Sequence, residues 1–192
     1  CGVTVTGQLL QAQAFDMTLL ATGSRPVIPR FAAELPNMTT AEHILLEAIK
    51  PGHRVLIIGG GMIGCELADF LGERGHAVTI LEMRPEVAQD MEWRARHTLM
   101  PRLDRYGVTL LTGMEVMETA TTGRNRIRDA YGGEEWLEPF DTTAISVGYR
   151  PEKMLARELE HMRLPYKAIG DCVAPGKILD AMHQGLAAAY AL

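Results

Sequence analysis

The sequence predicts an α/β protein built on a parallel sheet, and three observations carry that expectation. Val55-Leu56-Ile57-Ile58 is an unbroken apolar run, the signature of a parallel strand covered on both faces. A glycine triplet follows it at once. Ile63, Leu67, Phe70 and Leu71 then fall at helical spacing and lead to a second apolar run, Ala77 to Leu81. Strand, tight turn, helix and strand in so short a stretch make a βαβ unit, whose crossover is expected to be right-handed.

The other elements follow along the chain. Val3 to Thr6 and Phe15 to Ala21 read as short strands, with Gly7 as a turn between them. Pro26, Pro29 and Pro36 make the next stretch irregular, and a short helix is expected over Thr40 to Ile49, opened by a Thr-Ala-Glu cap and closed by Gly52. The fingerprint helix over 62–74 stops at Gly75. Beyond Pro85 a helix from Asp90 to Tyr106 ends at Gly107, and Val108 to Thr112 is the next strand. Pieces at Glu115 to Ala120, Arg126 to Tyr131 and Glu134 to Glu138, parted by glycine turns, predict a β-meander laid on the sheet. Thr142 to Val147 is another buried strand, stopped by Gly148-Tyr149-Arg150-Pro151; Ala168-Ile169-Gly170-Asp171 is a further strand end, and Ile178 to Leu192 a final Ala-rich helix.

Nearly half of the 192 residues are apolar, enough for a proper core. The net charge of −5 is spread along the chain, with basic and acidic residues interleaved, which argues against a nucleic-acid surface. Apolar runs are strand-length, so no membrane helix is expected. Cys1, Cys65 and Cys172 lie far apart without Cys-x-x-Cys spacing, which suggests neither a zinc cage nor a disulfide framework, and a cytoplasmic setting fits. The chain opens on Cys1 and stops inside a helical run, as an excised piece of a longer protein would.

Gly59-Gly60-Gly61-Met62-Ile63-Gly64 is G-x-G-x-x-G. Gly59 permits the turn off the strand, Gly61 removes a side chain that would block a pyrophosphate, and Gly64 lets helix and sheet approach. Amides at the helix start near Met62 then face a diphosphate. Glu82 ends the second strand, where its carboxylate can accept from adenosine ribose hydroxyls. It would repel a 2′-phosphate, so a Rossmann-like site for NADH, with NADPH disfavoured, is expected. Arg84 could serve a 2′-phosphate, but a solvated side chain is the preferred reading. The same unit could hold the ADP half of FAD; position in the chain argues for NADH.

That position rests on a resemblance. Leu19-Leu20-Ala21-Thr22-Gly23-Ser24-Arg25-Pro26, the Gly59 to Glu82 unit, Val147-Gly148-Tyr149-Arg150-Pro151 and Ala168-Ile169-Gly170-Asp171-Cys172, in that order, resemble the two-dinucleotide-domain flavoproteins, the pyridine nucleotide-disulfide oxidoreductases. Gly170-Asp171-Cys172-Val173 with Lys177 to Ala181 and Gly185 is similar to the C-terminal portion of 2,4-dienoyl-CoA reductase, NADH oxidase and trimethylamine dehydrogenase-like enzymes. The resemblance implies a partial FAD-binding domain over 1–42, an NAD(P)H-binding domain over 43–150 and a return to the FAD domain over 151–192. It implies that Ala21, Thr22, Gly23, Gly170 and Asp171 serve FAD, Asp171 through its ribityl chain, and that Glu66 and Gly148 lie near the nicotinamide. It further implies FMN and a 4Fe-4S cluster in N-terminal flavin domains of the same chain. No first G-x-G-x-x-G precedes Ala21, so this stretch by itself is expected not to hold FAD tightly.

Other features are set aside. Tyr149 and Lys153 match the Tyr-x-x-x-Lys pair of short-chain dehydrogenases, but Pro151 disfavours the helix that pair needs. The histidines are scattered, and His183 reads as a packing residue. Cys65 reads as a small buried apolar residue. Cys172 has no partner cysteine for disulfide chemistry. The Asn37-Met38-Thr39 sequon means nothing in a cytoplasmic protein, and the methionines read as core fillers. Hydride transfer needs no side-chain acid, base or nucleophile, so no catalytic residue and no metal site is expected. The leading expectation is an NADH-binding module that passes hydride to FAD within a flavin-dependent oxidoreductase, inactive as an isolated piece. A non-catalytic ADP- or NAD-binding domain is the alternative, and a self-sufficient dehydrogenase is disfavoured.

Overall fold

The computed structural model describes residues 2–33, 35–120 and 122–191 and divides into two compact units, 26–148 and 1–25 with 149–192. The larger unit takes in 26–42, upstream of the domain boundary expected at 42, because Met38–Thr40 joins its sheet.

That sheet has five parallel strands in the order Met38–Thr40, Thr142–Ile145, Arg54–Ile58, Ala77–Glu82 and Thr109–Thr112. Alternation along Arg54–Ile58 explains its apolar run. Val55 and Ile57 point to a layer containing Cys65, Leu67, Ala68 and Leu71 of the helix Met62–Glu73, Leu99 and Leu103 of the helix Trp93–Arg105, and Ala41 and Ile44. Leu56 and Ile58 point the other way, to Ile127, Leu35, Ala32 and the partly buried Met114, Val116 and Leu137. A strand covered on both faces has no polar side to show. Each such fully buried Leu or Ile contributes about 1.5–3 kcal/mol of transfer free energy.

The expected meander is present as an antiparallel sheet of Met114–Thr119, Asn125–Asp129 and Glu134–Leu137, with a register shift between Val116 and Glu118. Ile127 and Val116 face the parallel sheet. Arg126 and Arg128 on the middle strand pair with Glu118, Glu134 and Glu115 across the ladder.

In the smaller unit, Thr18–Leu20 pairs in parallel with Tyr166–Ala168, and the strand Ser24–Pro26 pairs with Tyr149–Pro151. Leu20, Leu159 and Cys172 form its core, with Leu10, Leu155 and Leu164 against them.

Several boundaries differ from the sequence reading. Residues 3–6 are not a strand: Thr6 Oγ1 accepts from the Leu9 amide at 3.2 Å and caps a helix, Gly7–Gln13. Alternation at Val3 and Val5 fails to give a strand because, among the described residues, no strand pairs with it. Gly7 opens this helix, and its missing β-carbon leaves room for the Met162 thioether and Glu158. The second early strand shrinks to Thr18–Leu20. The helix after Thr40 covers only Ala41–Leu45, with Glu47 in the left-handed region just beyond. The helix after Pro85 begins at Trp93, where Glu92 accepts from the Arg94 and Ala95 amides. Tyr149–Pro151 is a strand rather than a stop, and Met154–Met162 is a helix the sequence reading left unassigned. The last helix is Ile178–Ala189; Leu192 and Cys1 lie outside the described residues.

Candidate functional site

At the carboxyl end of Arg54–Ile58 each fingerprint glycine meets a different constraint. Gly59 has φ 105°, the left-handed side that favours glycine, and a β-carbon there would overlap the Ser146 carbonyl. A β-carbon on Gly64 would overlap the Gly59 carbonyl oxygen, so helix and turn touch backbone to backbone. One on Gly60 would press on Val87 Cγ1 at 2.7 Å. At Gly61 the position is open toward the Asp90 carboxylate, whose Oδ2 lies 3.3 Å away. Three of the four glycines are therefore required by the protein's own packing, whereas a side chain at Gly61 would meet only the Asp90 carboxylate.

Gly61 is the N-cap of Met62–Glu73 and has no side chain to satisfy the helix amides. The Met62 amide donates to Asp90 Oδ1 at 2.8 Å. Ile63, in the same first turn, packs partly buried against the core. The first-turn amides and the positive end of the helix dipole meet here, as an anion site requires.

Glu82, only 8% exposed, closes the strand Ala77–Glu82 beside this turn. Its Oε2 accepts from the Gly60 amide at 2.7 Å and its Oε1 from the Arg84 amide at 2.9 Å. Both oxygens are thereby fixed, and each keeps a second lone pair for a ribose hydroxyl. The Arg84 side chain is exposed, while its carbonyl accepts from Gly113. Glu66 is exposed on the fingerprint helix. Gly148 has φ 109°, and its carbonyl accepts from the Val27 amide at 2.9 Å.

Cys65 is buried under the turn, its thiol donating to the Gly60 carbonyl at 3.4 Å. Burial, then the nearby Asp90 charge, pushes its pKa up to about 12. A thiol so held is inert at neutral pH.

The residues tied to FAD by resemblance gather in the smaller unit. Thr22 Oγ1 donates to the Glu152 carbonyl at 3.0 Å, and the Gly23 carbonyl accepts from the Glu152 amide. Ala21 is exposed between the paired strands. Asp171 accepts from Ser24 Oγ at 3.2 Å and from the Gly176 amide at 3.1 Å. Gly170, with φ 69°, donates its amide to Gln184 Oε1 at 2.7 Å. The Cys172 thiol is spent on the Leu20 and Ile169 carbonyls. His183 is exposed, not packed. Tyr149 lies on a strand and Lys153 caps the next helix, so the two do not share a helix face.

The sequence reading missed Asp90, Ser24 and Gln184, because each acts through a contact distant in sequence, and a lone polar residue in a loop carries no pattern.

A parallel sheet whose strand end carries a glycine turn, a helix N-terminus and a pinned acid defines a Rossmann-type dinucleotide-binding protein. The chain belongs to the pyridine nucleotide-disulphide oxidoreductase family, whose sequence pattern matches residues 3–185. It is 33% identical over 198 residues to an NADH oxidase of Thermoanaerobacter brockii, covering 98% of this chain and 30% of that protein. It is 32% identical to a bilirubin reductase of Mediterraneibacter gnavus, covering 89% of this chain and 26% of the relative. A 2-naphthoyl-CoA reductase superposes with TM-score 0.86 at 25% identity, over 95% of this chain and 28% of that one. Histamine dehydrogenase from Rhizobium sp. 4-9 shares the fold, with TM-score 0.82 at 17% identity over 95% of this chain and 31% of that one. The chain thus spans under a third of the length of these relatives. The family binds NAD(P)H and FAD. Among the described residues no helix is long and apolar enough to cross a membrane.

Proposed function

We propose that this chain is the NADH-binding module of a larger flavin-dependent reductase, in which NADH supplies hydride and FAD accepts it. The observation that carries the reading is Glu82, held by the Gly60 and Arg84 amides beside the amides that open Met62–Glu73. Gly59, Gly60, Gly61, Met62, Ile63 and Gly64 would cradle the pyrophosphate, and Glu82 the adenosine ribose. A fixed carboxylate repels a 2′-phosphate, so NADH is the preferred donor over NADPH, with Arg84 left solvated. Glu66 and Gly148 would border the nicotinamide. Ala21, Thr22, Gly23, Gly170 and Asp171 would hold FAD, with Asp171 as an acceptor positioned by Ser24 and Gly176.

The rest of the parent protein would supply the first part of the FAD domain and, in N-terminal flavin domains, FMN and a 4Fe-4S cluster. In that reading, the unit of 1–25 and 149–192 belongs to FAD and the unit of 26–148 to NADH, in a cytoplasmic enzyme. No side chain here has to move a proton for hydride transfer; the protein's part is position and electrostatics. Family membership favours electron transfer over a purely structural nucleotide-binding domain. The test is anaerobic mixing of the full-length protein with NADH or NADPH while following flavin absorbance. Bleaching by NADH well ahead of NADPH supports the reading, and a flavin that stays oxidised with both overturns it.

A further inference from the structure

The seat that a dinucleotide phosphate would take is already filled by an acid of this chain. Asp90 Oδ1 accepts from the Met62 amide at 2.8 Å, and its Oδ2 lies over Gly61, 3.3 Å from where a β-carbon would stand. Gly61 is the fingerprint glycine whose open face the protein's own packing does not otherwise require. A carboxylate there has the charge and the acceptor atoms of a phosphate, and it meets the same amides and the same helix dipole.

The loop that carries Asp90 is fastened to the fingerprint. Val87 is buried against Gly60, and the Ala88 amide donates to the Gly60 carbonyl at 2.7 Å. Ala88 is itself buried and holds φ 54°, a left-handed conformation uncommon for a residue with a β-carbon. The backbone around Asp90 is therefore positioned, while the Asp90 side chain is exposed and free to turn into solvent. Its removal from the seat needs a side-chain rotation and no rearrangement of the loop.

We propose that Asp90 is a built-in competitor for the phosphate seat: it caps the helix while the site is empty, and NADH binds by turning it out. Two anions cannot share one set of amides, so the carboxylate is an affinity-setting group that lowers occupancy at low NADH. It also keeps the first helical amides satisfied between turnovers.

This presupposes NADH as the ligand, so the test separates the two ideas. ADP-ribose, which carries the pyrophosphate without hydride chemistry, is titrated calorimetrically into full-length wild-type protein, Asp90→Asn and Asp90→Ala, with adenosine as the phosphate-free control. Protection of the Met62 amide from hydrogen exchange is followed in the ligand-free proteins. Asp90→Asn is close to isosteric and retains a weak cap, so a folding defect confined to Asp90→Ala does not obscure the outcome. The expected result is ADP-ribose binding tightened roughly three- to tenfold in both variants, adenosine binding unchanged, and Met62 protection lost in Asp90→Ala. Unchanged or weaker ADP-ribose binding in both variants, with wild-type binding intact, overturns the competitor role and leaves the NADH reading standing. Absence of ADP-ribose binding in all three proteins overturns both.

Discussion

The Gly60 amide donates to Glu82 Oε2 across 2.7 Å, so the middle of the glycine turn is tied to the end of the neighbouring strand before any ligand arrives. Glu82 thereby serves structure and specificity together. Replacing it with alanine leaves the Gly60 and Arg84 amides without acceptors at a nearly buried position, which costs about 1–3 kcal/mol. Thermal unfolding should show the loss. Preference for NADH over NADPH should fall by roughly tenfold or more, since each 1.4 kcal/mol of lost discrimination is one decade. Glu82→Gln keeps one acceptor oxygen but turns a donor toward the other amide, so it should recover only part of the stability while losing the discrimination.

Gly61 and Gly64 should separate binding from folding. A methyl group at Gly64 has to displace the Gly59 carbonyl, a backbone shift costing about 1–3 kcal/mol. At Gly61 the methyl meets only the movable Asp90 side chain. Gly61→Ala should keep the melting temperature and weaken NADH binding; Gly64→Ala should lower both. Equal destabilisation by the two substitutions would contradict the geometry.

Cys65 should resist alkylation in the native protein at pH 8 and react once the protein is unfolded in denaturant. Its pKa is raised from 9.0 to about 12 in the fold. The unfolded chain then releases the thiol proton first, so the stabilising effect is complete below pH 9 and is lost as pH rises toward 12. Urea midpoints of wild type and Cys65→Ala should therefore converge over that interval.

Asp171→Asn should lower FAD retention in the full-length protein, because the amide can accept from Gly176 and donate to the Ser24 hydroxyl but leaves one acceptor oxygen in place of a charged pair for the flavin. Ser24→Ala should have the smaller effect. Flavin released on gel filtration measures both.

What could be read from the sequence was what repeats locally. The βαβ unit announced itself because Val55 to Ile58 is buried on both faces and because Gly64 is dictated by a contact within the unit, with the Gly59 carbonyl. The meander was legible from its turns. The strand expected at Val3 was not formed because alternation alone does not supply a neighbour, while Thr6 could satisfy a helix end by itself. Of the candidate site, Glu82 was visible by its position at a strand end. Asp90 was not, since only the return of its loop onto Gly60 brings it to Met62.

The bond from the Val27 amide to the Gly148 carbonyl closes the larger unit at its own entrance and exit. It bears on the order of assembly. The smaller unit is made of two stretches separated by all of 26–148, and bringing such distant stretches together from an open chain costs on the order of 4 kcal/mol in loop-closure entropy. Once the contiguous unit has folded, the chain leaves it beside the point where it entered, and the long closure becomes a local one. The nucleotide unit is thus the kinetic template of the protein: substitutions that slow its collapse should delay pairing of Thr18–Leu20 with Tyr166–Ala168, although neither strand touches the altered residue.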